Sequence, residues 1–296
     1  NKAYKYLEDK KLLYKGNTNP PKGSKKDEWS EKKHILFKSK SFGDDEDRVV
    51  KKHDGQWTYF MPDIAYHLNK YERGFIRMIN IFGADHSGYI ARMKAAVKAV
   101  TNEKANLEIK TCQLVRLSRG GKPVKMSKRA GSFITLKEIV NEVGKDAVRF
   151  MMVSRKNDAQ LDFDFEVFKN ENNDNPIFYI QYANARISSL IRNSKEKLGR
   201  DIKDKDLINA DLTFLQNENE KKIIFQIANF PKVIEQSVTF MEPHRLSYYL
   251  RDLASSFHQY WNLKIDNKRI HILDKSEIDL SLARVALLFA VSITIQ

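Results

Sequence analysis

The first sixty residues begin with a short helical piece and then alternate between apolar runs and turn-forming residues. Three runs rich in β-branched and aromatic residues predict strands, at 35–39, 48–52 and 56–60. The pair Asp54-Gly55 between the last two runs is typical of a hairpin turn. A helix is predicted from Asp63 to Tyr71, because Pro62 is favoured in a first helical turn, where its missing N–H is not needed.

The clearest pattern is a strand, a helix and a second strand within about forty residues. The apolar run at 78–83 suits a buried parallel strand, the apolar positions of 87–100 follow helical spacing, and 107–117 again predicts a strand. Such a unit requires a parallel sheet with a right-handed crossover. In open sheets of this kind, ligands bind at the carboxyl ends of the strands.

Helices dominate the prediction after this unit. Thr135 and Glu138 form a capping-box pattern that opens a helix, and a second helix is predicted at 146–155. Residues 161–165 alternate as a half-buried strand, and the polar stretch 170–175 is the best linker. Helical spacing then predicts five further helices, at 177–198, about 214–230, about 231–241, 243–263 and 278–296.

The predicted fold is therefore α/β over residues 1–169, followed by an all-α helical domain over residues 170–296. No period of 20–50 residues repeats along the chain. The apolar run 285–295 has about half of the ~20 residues of a membrane span, so no membrane is expected. Because this run ends without a helix cap, we expect the helical domain to be truncated there.

Composition places the chain among ordinary globular proteins. Apolar residues make up 42% of the 296 residues and charged residues 30%, which excludes global disorder and fibrous repeats. The single cysteine, Cys112, excludes an internal disulfide and a cysteine-rich zinc site. It also fits the reducing cytoplasm.

The net charge of +14 is concentrated in the predicted α/β part. Residues 1–169 hold 35 Lys and Arg against 22 Asp and Glu, whereas residues 170–296 hold 17 against 16. Clustered Lys and Arg favour a polyanionic partner, because they release counterions from phosphates. A lysine-rich protein from an AT-rich genome would show the same excess, so charge alone leaves nucleic-acid binding open.

The segment 125–129, Lys-Met-Ser-Lys-Arg, is the most informative for chemistry. Glycines on both sides favour a loop that can change shape, and Lys125 and Lys128 would present compact charges from it. That arrangement suits a leaving pyrophosphate, whose charge grows in the transition state. A solvated basic turn is the alternative, but the strand–loop–helix context favours the phosphate interpretation.

A second candidate site follows the strand at 78–83. Gly83 would let a nucleotide approach the backbone, the next helix start would offer free N–H groups, and Asp85 could accept a ribose hydroxyl. Asp85 as a helix cap is an equally good interpretation. His86 beside it is more typical of a packed or solvated histidine than of a catalytic one.

Six motifs follow one another along the chain: GDDEDRVV…DGQWTYFMPDIAYHLNKYERGF (43–75), GADHSGY (83–89), KMSKRAG (125–131), LDFDF (161–165), YIQYANARISSLIR (179–192) and FHQYW (257–261). Together they resemble arginyl-tRNA synthetases of the bacterial type, over about residues 28–265. KMSKR is general to class I aminoacyl-tRNA synthetases, whereas the combination of DIAYH with GADHSGY and FDF is much narrower. The resemblance implies ATP-dependent joining of L-arginine to its tRNA through an arginyl-adenylate. It implies the second half of a Rossmann-type nucleotide-binding catalytic fold before residue 170 and an α-helical anticodon-binding bundle after it.

The resemblance also implies which residues handle ATP, the expected substrate together with Mg²⁺. The phosphate-stabilising loop consists of Lys125, Met126, Ser127 and Lys128. The adenosine pocket includes Gly83, Asp85 and His86. No protein-bound metal is expected.

Tyr59 and Asp63 match the family's pair for the arginine side chain. A guanidinium is best read by a carboxylate, and a buried Asp left unpaired by another amino acid penalises that amino acid. An ordinary acidic residue in a first helical turn is the alternative for Asp63. Tyr59 is expected at the end of the preceding strand, so that both side chains face the cleft between strand and helix.

In the helical part, Tyr182 to Arg186 match the opening helix of the bundle. Phe257 and Trp261 are four residues apart on one predicted helix, which favours core packing over stacking on anticodon bases.

The class I signature His-x-Gly-His, whose histidines hold the triphosphate, does not occur among the seven histidines of the chain. We therefore expect a fragment that lacks the amino-terminal part and is inactive alone. A non-catalytic tRNA-binding module is the rival, against which the intact KMSKR string argues; a cysteine-specific synthetase would be expected to bring zinc-binding thiols. The expected partners are arginine tRNA, L-arginine and ATP, and the expected state is a cytoplasmic monomer.

Overall fold

The computed structural model describes residues 2–17, 33–124, 133–170, 172, 174–265 and 268–296. Backbone contacts divide the chain into two compact units, one ending at Leu114 and the other beginning at Val115. This division does not test the domain boundary predicted at 169/170, which stays a prediction.

The described helices are α1 (Lys2–Asp9), α2 (Phe60–Glu72), α3 (Ile90–Thr101), α4 (Leu136–Val143), α5 (Lys145–Val153), α6 (Phe165–Lys169), α7 (Pro176–Arg192), α8 (Ser194–Leu198), α9 (Asp204–Ile208), α10 (Glu218–Thr239), α11 (His244–Trp261) and α12 (Ile278–Ile295). The described strands are β1 (Leu13–Gly16), β2 (His34–Phe37), β3 (Arg48–Lys51), β4 (Arg77–Gly83), β5 (Asn106–Cys112), β6 (Val115–Arg119), β7 (Lys122–Pro123), β8 (Leu161–Asp164), β9 (Lys264–Ile265) and β10 (Lys268–Arg269).

The first unit contains an antiparallel sheet, β1-β2-β3, and a parallel pair, β4-β5. The helix α3 connects the two parallel strands, which confirms the predicted strand–helix–strand unit. The parallel register runs from Arg77 opposite Asn106 to Gly83 opposite Cys112, so both strands end at the same edge. That edge is where the candidate nucleotide residues were predicted.

The apolar sides of α2 and α3 form the core of the first unit. Ile64 on α2 and Met93 and Val97 on α3 are almost completely buried, and they belong to one cluster with Met78 of β4. Burial of such side chains stabilises each helix by roughly 1.5–3 kcal/mol per residue. The position of α2 relative to β4 is therefore fixed by packing, which matters for the site described below.

Two sequence predictions in this unit are wrong. The segment 56–60 is not a strand: Trp57 forms only a single bridge with Lys51, and α2 begins at Phe60. Pro62 explains this, because its ring is tolerated in the first turn of a helix that starts before it. The helix predicted from 87 begins at Ile90, because Ala84–Tyr89 form a 3₁₀ turn first.

The strand predicted at 107–117 consists of two strands with different partners. β5 pairs with β4 in the first unit, whereas β6 pairs in parallel with β8 and antiparallel with β7 in the second. Leu114, in the break, is 73% exposed although apolar. An apolar run alone does not show where a strand changes its partner, which is why the sequence predicted one continuous element.

The amino-terminal part of the second unit packs α4, α5 and α6 against β6 and β8. Phe163 and Phe165 are fully buried in its core. The predicted capping box is present: the Glu138 N–H donates to Thr135 Oγ1, and the Thr135 N–H donates to Glu138 Oε2 at 2.6 Å. The predicted strand at 161–165 is confirmed as β8.

The remaining helices form a bundle around α7, α10, α11 and α12. The predicted helix 177–198 is divided at Asn193 into α7 and α8. The two helices predicted around Pro231 are one continuous helix, α10. A proline removes one backbone hydrogen bond, but packing along the helix can hold the turns on either side; near this position the Tyr249 hydroxyl of α11 donates to the Gln226 carbonyl at 3.0 Å.

A buried charged network joins three of the bundle helices. Glu220 on α10 is 1% exposed, and its Oε1 accepts from the Tyr260 hydroxyl at 2.8 Å and from Arg284 Nε at 3.0 Å. Burial of a carboxylate is tolerated only when it is paired and hydrogen-bonded in this way. The network therefore fixes α10, α11 and α12 relative to one another.

The helix α12 is long and apolar enough, by length and composition alone, to cross a membrane. In the structure, Ala283, Val285, Leu288 and Val291 of this helix are fully buried in the bundle. Two of its serines are also buried, and Ser292 donates to Asn184 of α7 at 2.5 Å. This packing is that of the central helix of a bundle.

Candidate active site

The start of α2 carries both residues predicted for the arginine side chain. Tyr59 is the N-cap residue, in helical conformation and 94% exposed, and Asp63 lies in the first turn. Tyr59 was expected at a strand end, and this is wrong, because the helix starts at Phe60. The two residues are therefore one helical turn apart at the same helix end.

The Asp63 carboxylate is held by Tyr89, the last residue of the 3₁₀ turn between β4 and α3. The Tyr89 hydroxyl donates to Asp63 Oδ2 at 2.7 Å. Burial raises the pKa of Tyr89, and its hydrogen bond to Asp63 raises it further, so Tyr89 remains a donor at physiological pH. Among the described residues, Asp63 Oδ1 has no hydrogen-bond donor, which leaves it available to a ligand.

The backbone of Asp63 is held by a second contact, from His67. His67 Nδ1 lies 2.8 Å from the Asp63 carbonyl oxygen, so this nitrogen carries the proton and donates. His67 Nε2 accepts from Asn80 Nδ2 of β4 at 2.9 Å, and Asn80 Oδ1 accepts from Lys70 at 3.4 Å. Burial lowers the pKa of His67, and the charge of Lys70 lowers it further, which agrees with a neutral ring.

The predicted adenosine residues lie at the carboxyl end of β4. Gly83 is the N-cap of the 3₁₀ turn, and a Cβ built on it would lie 2.5 Å from Asp85 Oδ1, so a larger residue would require the exposed Asp85 side chain to turn away. The side chains of Asp85 and His86 are largely exposed, 3.7 Å apart at Oδ2 and Nε2. Asp85 makes no helix-cap hydrogen bond in the described structure, so the capping alternative is not the one that the structure adopts.

A cleft of about 830 Å³ opens beside the start of α2. Its lining includes Tyr14, Tyr59, Tyr89, Arg92 and three consecutive acidic residues, Asp45, Glu46 and Asp47. The guanidinium of Arg92 lies 5.0 Å from the Tyr89 ring centroid, a cation–π contact that fixes this tyrosine. Lys40 and Arg48 also line this cleft, and Arg48 pairs with Asp45 and Glu46, so the cleft combines aromatic rings with charges of both signs.

The loop residues Lys125, Met126, Ser127 and Lys128 lie outside the described residues, and their predicted roles stay predictions. Within the described ranges, no group of three or more His, Cys, Asp or Glu side chains is placed to hold a metal ion.

The bundle carries a separate aromatic and basic cluster, on α7 and α11. The Arg186 guanidinium lies 4.2 Å from the Tyr182 ring centroid and 5.6 Å from that of Trp261. His258 Nε2 donates to the Tyr179 carbonyl at 3.0 Å, which leaves His258 Nδ1 to accept from Arg186 at 3.4 Å. Tyr179, Tyr182, Arg186 and His258 line a pocket of about 420 Å³, whose aromatic and basic lining suits an unstacked nucleobase.

Phe257 is fully buried, as the sequence predicted. Trp261 is only half-buried and packs at the edge of the core, against Arg186.

Sequence reasoning missed Tyr89, His67 and Asn80 as parts of the site. Tyr89 was counted only among the apolar positions of a helix. The available signal was its position six residues after Gly83, within the GADHSGY motif. Residues that follow the carboxyl end of a parallel strand lie near the edge of the sheet where ligands bind.

A parallel strand pair with its crossover helix, polar residues at the carboxyl end of the first strand, and a helical bundle later in the chain agree with the fold of a class I aminoacyl-tRNA synthetase. The family described as "tRNA synthetases class I (R), catalytic domain" matches residues 28–193, more than half of the chain. The chain belongs to this arginine-type family. The DALR anticodon binding domain family matches residues 180–296.

Comparison with known proteins agrees with this assignment. The chain is 53% identical to an arginine–tRNA ligase of Parvibaculum lavamentivorans, over 96% of this chain and 49% of that protein. It is 48% identical to an arginine–tRNA ligase of Methylobacterium nodulans, over 96% of this chain and 48% of the relative. The chain thus spans about half the length of the curated relatives it matches.

Solved structures show the same fold. One from Campylobacter jejuni, provisionally assigned as an arginyl-tRNA synthetase, has a TM-score of 0.81 and 32% identity, over 99% of this chain and 58% of that one. The arginyl-tRNA synthetase of Thermus thermophilus has a TM-score of 0.72 at 19% identity, over 99% and 55% of the two chains, which supports the fold alone. The predicted fold class is therefore confirmed.

Replacing His67 by glutamine tests the network behind Asp63. The pKa of His67 is lowered in the folded chain, whereas an unfolded histidine titrates near ~6.5. As pH falls below that value, His67 binds a proton in the unfolded chain but stays neutral in the folded chain. The free energy of unfolding therefore decreases until the pH reaches the pKa of folded His67. His67→Gln should remove this part of the pH dependence, on the order of 1 kcal/mol between about pH 7.5 and 5.5.

The measurement is urea unfolding of both proteins at the two pH values. His53→Gln, an exposed histidine of the same unit, is the matched control and should leave the pH dependence unchanged. An unchanged pH dependence in His67→Gln would show that His67 does not carry the proton linkage assigned to it.

Proposed function

We propose that this chain is the part of an arginine–tRNA ligase that carries the arginine pocket, the pyrophosphate loop and the anticodon-binding bundle. The complete protein would activate L-arginine with ATP, form an arginyl-adenylate and transfer the arginyl group to arginine tRNA. The observation that supports this most is the Asp63 carboxylate, fixed by Tyr89 at 2.7 Å beside a cleft that Tyr14, Tyr59 and Tyr89 line. Because the chain spans about half of its relatives, we assign the activity to the complete protein.

In this proposal Asp63 receives the guanidinium of the substrate. Its Oδ2 is occupied by Tyr89, so Oδ1 would take the guanidinium N–H, with Tyr59 as the stacking or hydrogen-bonding wall. The fixed carboxylate loses little side-chain entropy when the ligand binds. Lysine would be a poor substrate, since a compact ammonium does not match a site shaped for a planar guanidinium.

ATP would bind at the carboxyl end of β4, with Mg²⁺ as its counter-ion. Gly83, Asp85 and His86 would contact the adenosine, where the open backbone at Gly83 and the exposed carboxylate of Asp85 offer an acceptor for a ribose hydroxyl. Met126, in the segment 125–129, would also contact ATP, an assignment that rests on the sequence motif. We propose no protein-bound metal and no resident cofactor.

The KMSKR loop would handle the leaving group. Lys125 and Lys128 would stabilise the charge that develops on pyrophosphate, and Ser127 would shape the loop; this assignment rests on the sequence motif. Such donors act mainly in the transition state, so their loss affects kcat more than substrate affinity.

Arginine tRNA would bind the bundle through the cluster of Tyr182, Arg186 and Trp261. Aromatic rings in contact with a guanidinium can bind unstacked bases, and the excess positive charge in residues 1–169 would attract the phosphate backbone. A cytoplasmic monomer is the proposed state.

The test of this proposal is ATP–pyrophosphate exchange. This chain alone should show none, even with tRNA and arginine, because no His-x-Gly-His sequence is present to hold the triphosphate. A hybrid that joins the unmatched half of the Parvibaculum lavamentivorans ligase to this chain should show tRNA-dependent exchange, and this chain alone should still bind tRNA. Exchange by the chain alone would contradict the proposal that activity requires the half of the ligase that this chain does not match. A hybrid without activity whose tRNA binding is intact would favour the non-catalytic tRNA-binding module.

Replacing Asp63 by asparagine in the hybrid keeps the shape of the side chain and removes its charge. A charged hydrogen bond contributes roughly 1.5–3 kcal/mol, so the KM for arginine should rise by about 10- to 150-fold. The KM for ATP should change little, because its pocket lies at the end of β4. Both constants are measured by pyrophosphate exchange.

The matched control is Glu72→Gln, a carboxylate at the opposite end of α2 that pairs with Lys2 on the surface. It should leave both constants unchanged. A normal arginine constant in Asp63→Asn would return Asp63 to the role of an ordinary acidic residue at a helix start.

A further inference from the structure

The LDFDF motif places a carboxylate, that of Asp164, under the turn between β6 and β7. Asp164 Oδ2 accepts from the Gly121 N–H at 2.6 Å and from Ser118 Oγ at 3.0 Å, and Oδ1 accepts from the Gly120 N–H at 3.0 Å. Oδ1 also accepts from the Glu166 N–H at 3.0 Å, which caps α6. These hydrogen bonds, first that from Gly121, lower the pKa of Asp164, so it is ionised at physiological pH.

The turn that Asp164 holds needs its two glycines. Gly120 and Gly121 have φ of +55° and +77°, a region that other residues rarely adopt. In this conformation two successive N–H groups point to the same side and bind one carboxylate, as in an anion-binding nest. Asp164 therefore fixes the turn by its negative charge as well as by its shape.

A second contact joins this turn to the helix on the other side of the KMSKR loop. Arg119 donates through both terminal nitrogens to the Glu142 carboxylate of α4, with Nη2 2.7 Å from Oε2. The Arg119 guanidinium also lies 4.3 Å from the Phe165 ring centroid. Lys169 of α6 approaches Glu142 Oε1 to 2.6 Å, and the hydrogen bonds from Arg119 and Lys169 lower the pKa of Glu142 to about 2.

Asp164 and Arg119, with the partners just described, form what we call the hairpin clasp. The position of the hairpin clasp along the chain indicates its role. After the turn, the Val124 N–H donates to the Leu117 carbonyl at 2.8 Å, and Lys125 is the next residue. On the far side, the Thr135–Glu138 capping box starts α4, which also carries Glu142. The clasp thus holds the chain that enters segment 125–132 against the helix that leaves it.

We infer that Asp164 and Arg119 are positioning residues for the pyrophosphate-handling lysines. The inference rests on the proposed function of the KMSKR loop and adds to it the described residues that fix both of its flanks. Neither residue would contact ATP. They act by restricting where the loop ends lie, and a misplacement of about 1 Å in a reacting constellation can cost on the order of 10²-fold in rate.

The test compares Asp164→Asn with Asp162→Asn in the hybrid enzyme. Both changes remove one negative charge from the LDFDF motif, but Asp162 is exposed and makes none of the contacts of the clasp. Asparagine at 164 has one acceptor oxygen, and its NH₂ group opposes the glycine N–H groups. Asp164→Asn should lower kcat for pyrophosphate exchange by about 10- to 100-fold, with the arginine KM within about twofold of wild type and tRNA affinity unchanged. Asp162→Asn should change none of these.

Arg119→Lys serves as a second variant, since it keeps the charge and loses the two-pronged contact and the stacking on Phe165. Arg119→Lys should also lower kcat, by a smaller factor, and leave the arginine KM and the tRNA affinity unchanged. An unchanged kcat in both variants would overturn the inference. A parallel loss of kcat, tRNA affinity and melting temperature would also overturn it, because it would assign the clasp to folding alone.

The clasp can also be tested in this chain without any activity. Trypsin cleaves after Lys125, Lys128 and Arg129, and the clasp should restrain the backbone on both sides of these bonds. Asp164→Asn should raise their cleavage rate several-fold while Asp162→Asn leaves it unchanged; equal rates would contradict the inference. If the unmodified hybrid is inactive, the proposed function fails, and this experiment still decides whether the clasp exists.

Discussion

The hydrogen bond from the Tyr89 hydroxyl to Asp63 joins the two elements on which the candidate arginine site depends. Asp63 lies in the first turn of α2, and Tyr89 ends the 3₁₀ turn that follows β4. A carboxylate in a first helical turn is common and means little by itself. This one is held by a half-buried tyrosine, and its backbone is held by His67, so the site is prepared before a ligand arrives. Preorganisation of this kind reduces the entropy lost on binding.

The second unit also contains a network that fixes local structure, and there a carboxylate holds backbone N–H groups. Asp164 binds two successive glycine N–H groups, and Arg119 connects their turn to α4. In both units, these hydrogen bonds fix side chains or backbone next to residues that we propose to contact a substrate. The bundle contains a third network of this kind, in which the buried Glu220 orients three helices through Tyr260 and Arg284. Such networks are costly when incomplete, and here each of these carboxylates accepts at least one hydrogen bond.

Much of this could be predicted from the sequence, and the failures have physical causes. The strand–helix–strand unit and the capping box followed from local spacing, which the structure keeps. Tyr59 was misplaced because the strand propensity of 56–60 competes with the helix start that Pro62 permits, and packing of Phe60 decides the outcome. The contact between Tyr89 and Asp63 spans 26 residues. Spacing along the chain does not reveal which side chains a crossover brings together.

The central claim is that Tyr89 acts on arginine through Asp63, and a double-mutant cycle tests it most directly. In the hybrid enzyme, the KM for arginine is measured for Tyr89→Phe, Asp63→Ala and the double variant. Loss of a hydrogen bond worth about 1 kcal/mol should raise the constant by about fivefold when Asp63 is present. The same change should have almost no effect when Asp63 is alanine, which gives a coupling free energy of about 1 kcal/mol. An equal effect of Tyr89→Phe in both backgrounds would contradict the account, because it would mean that the tyrosine contributes independently of the carboxylate.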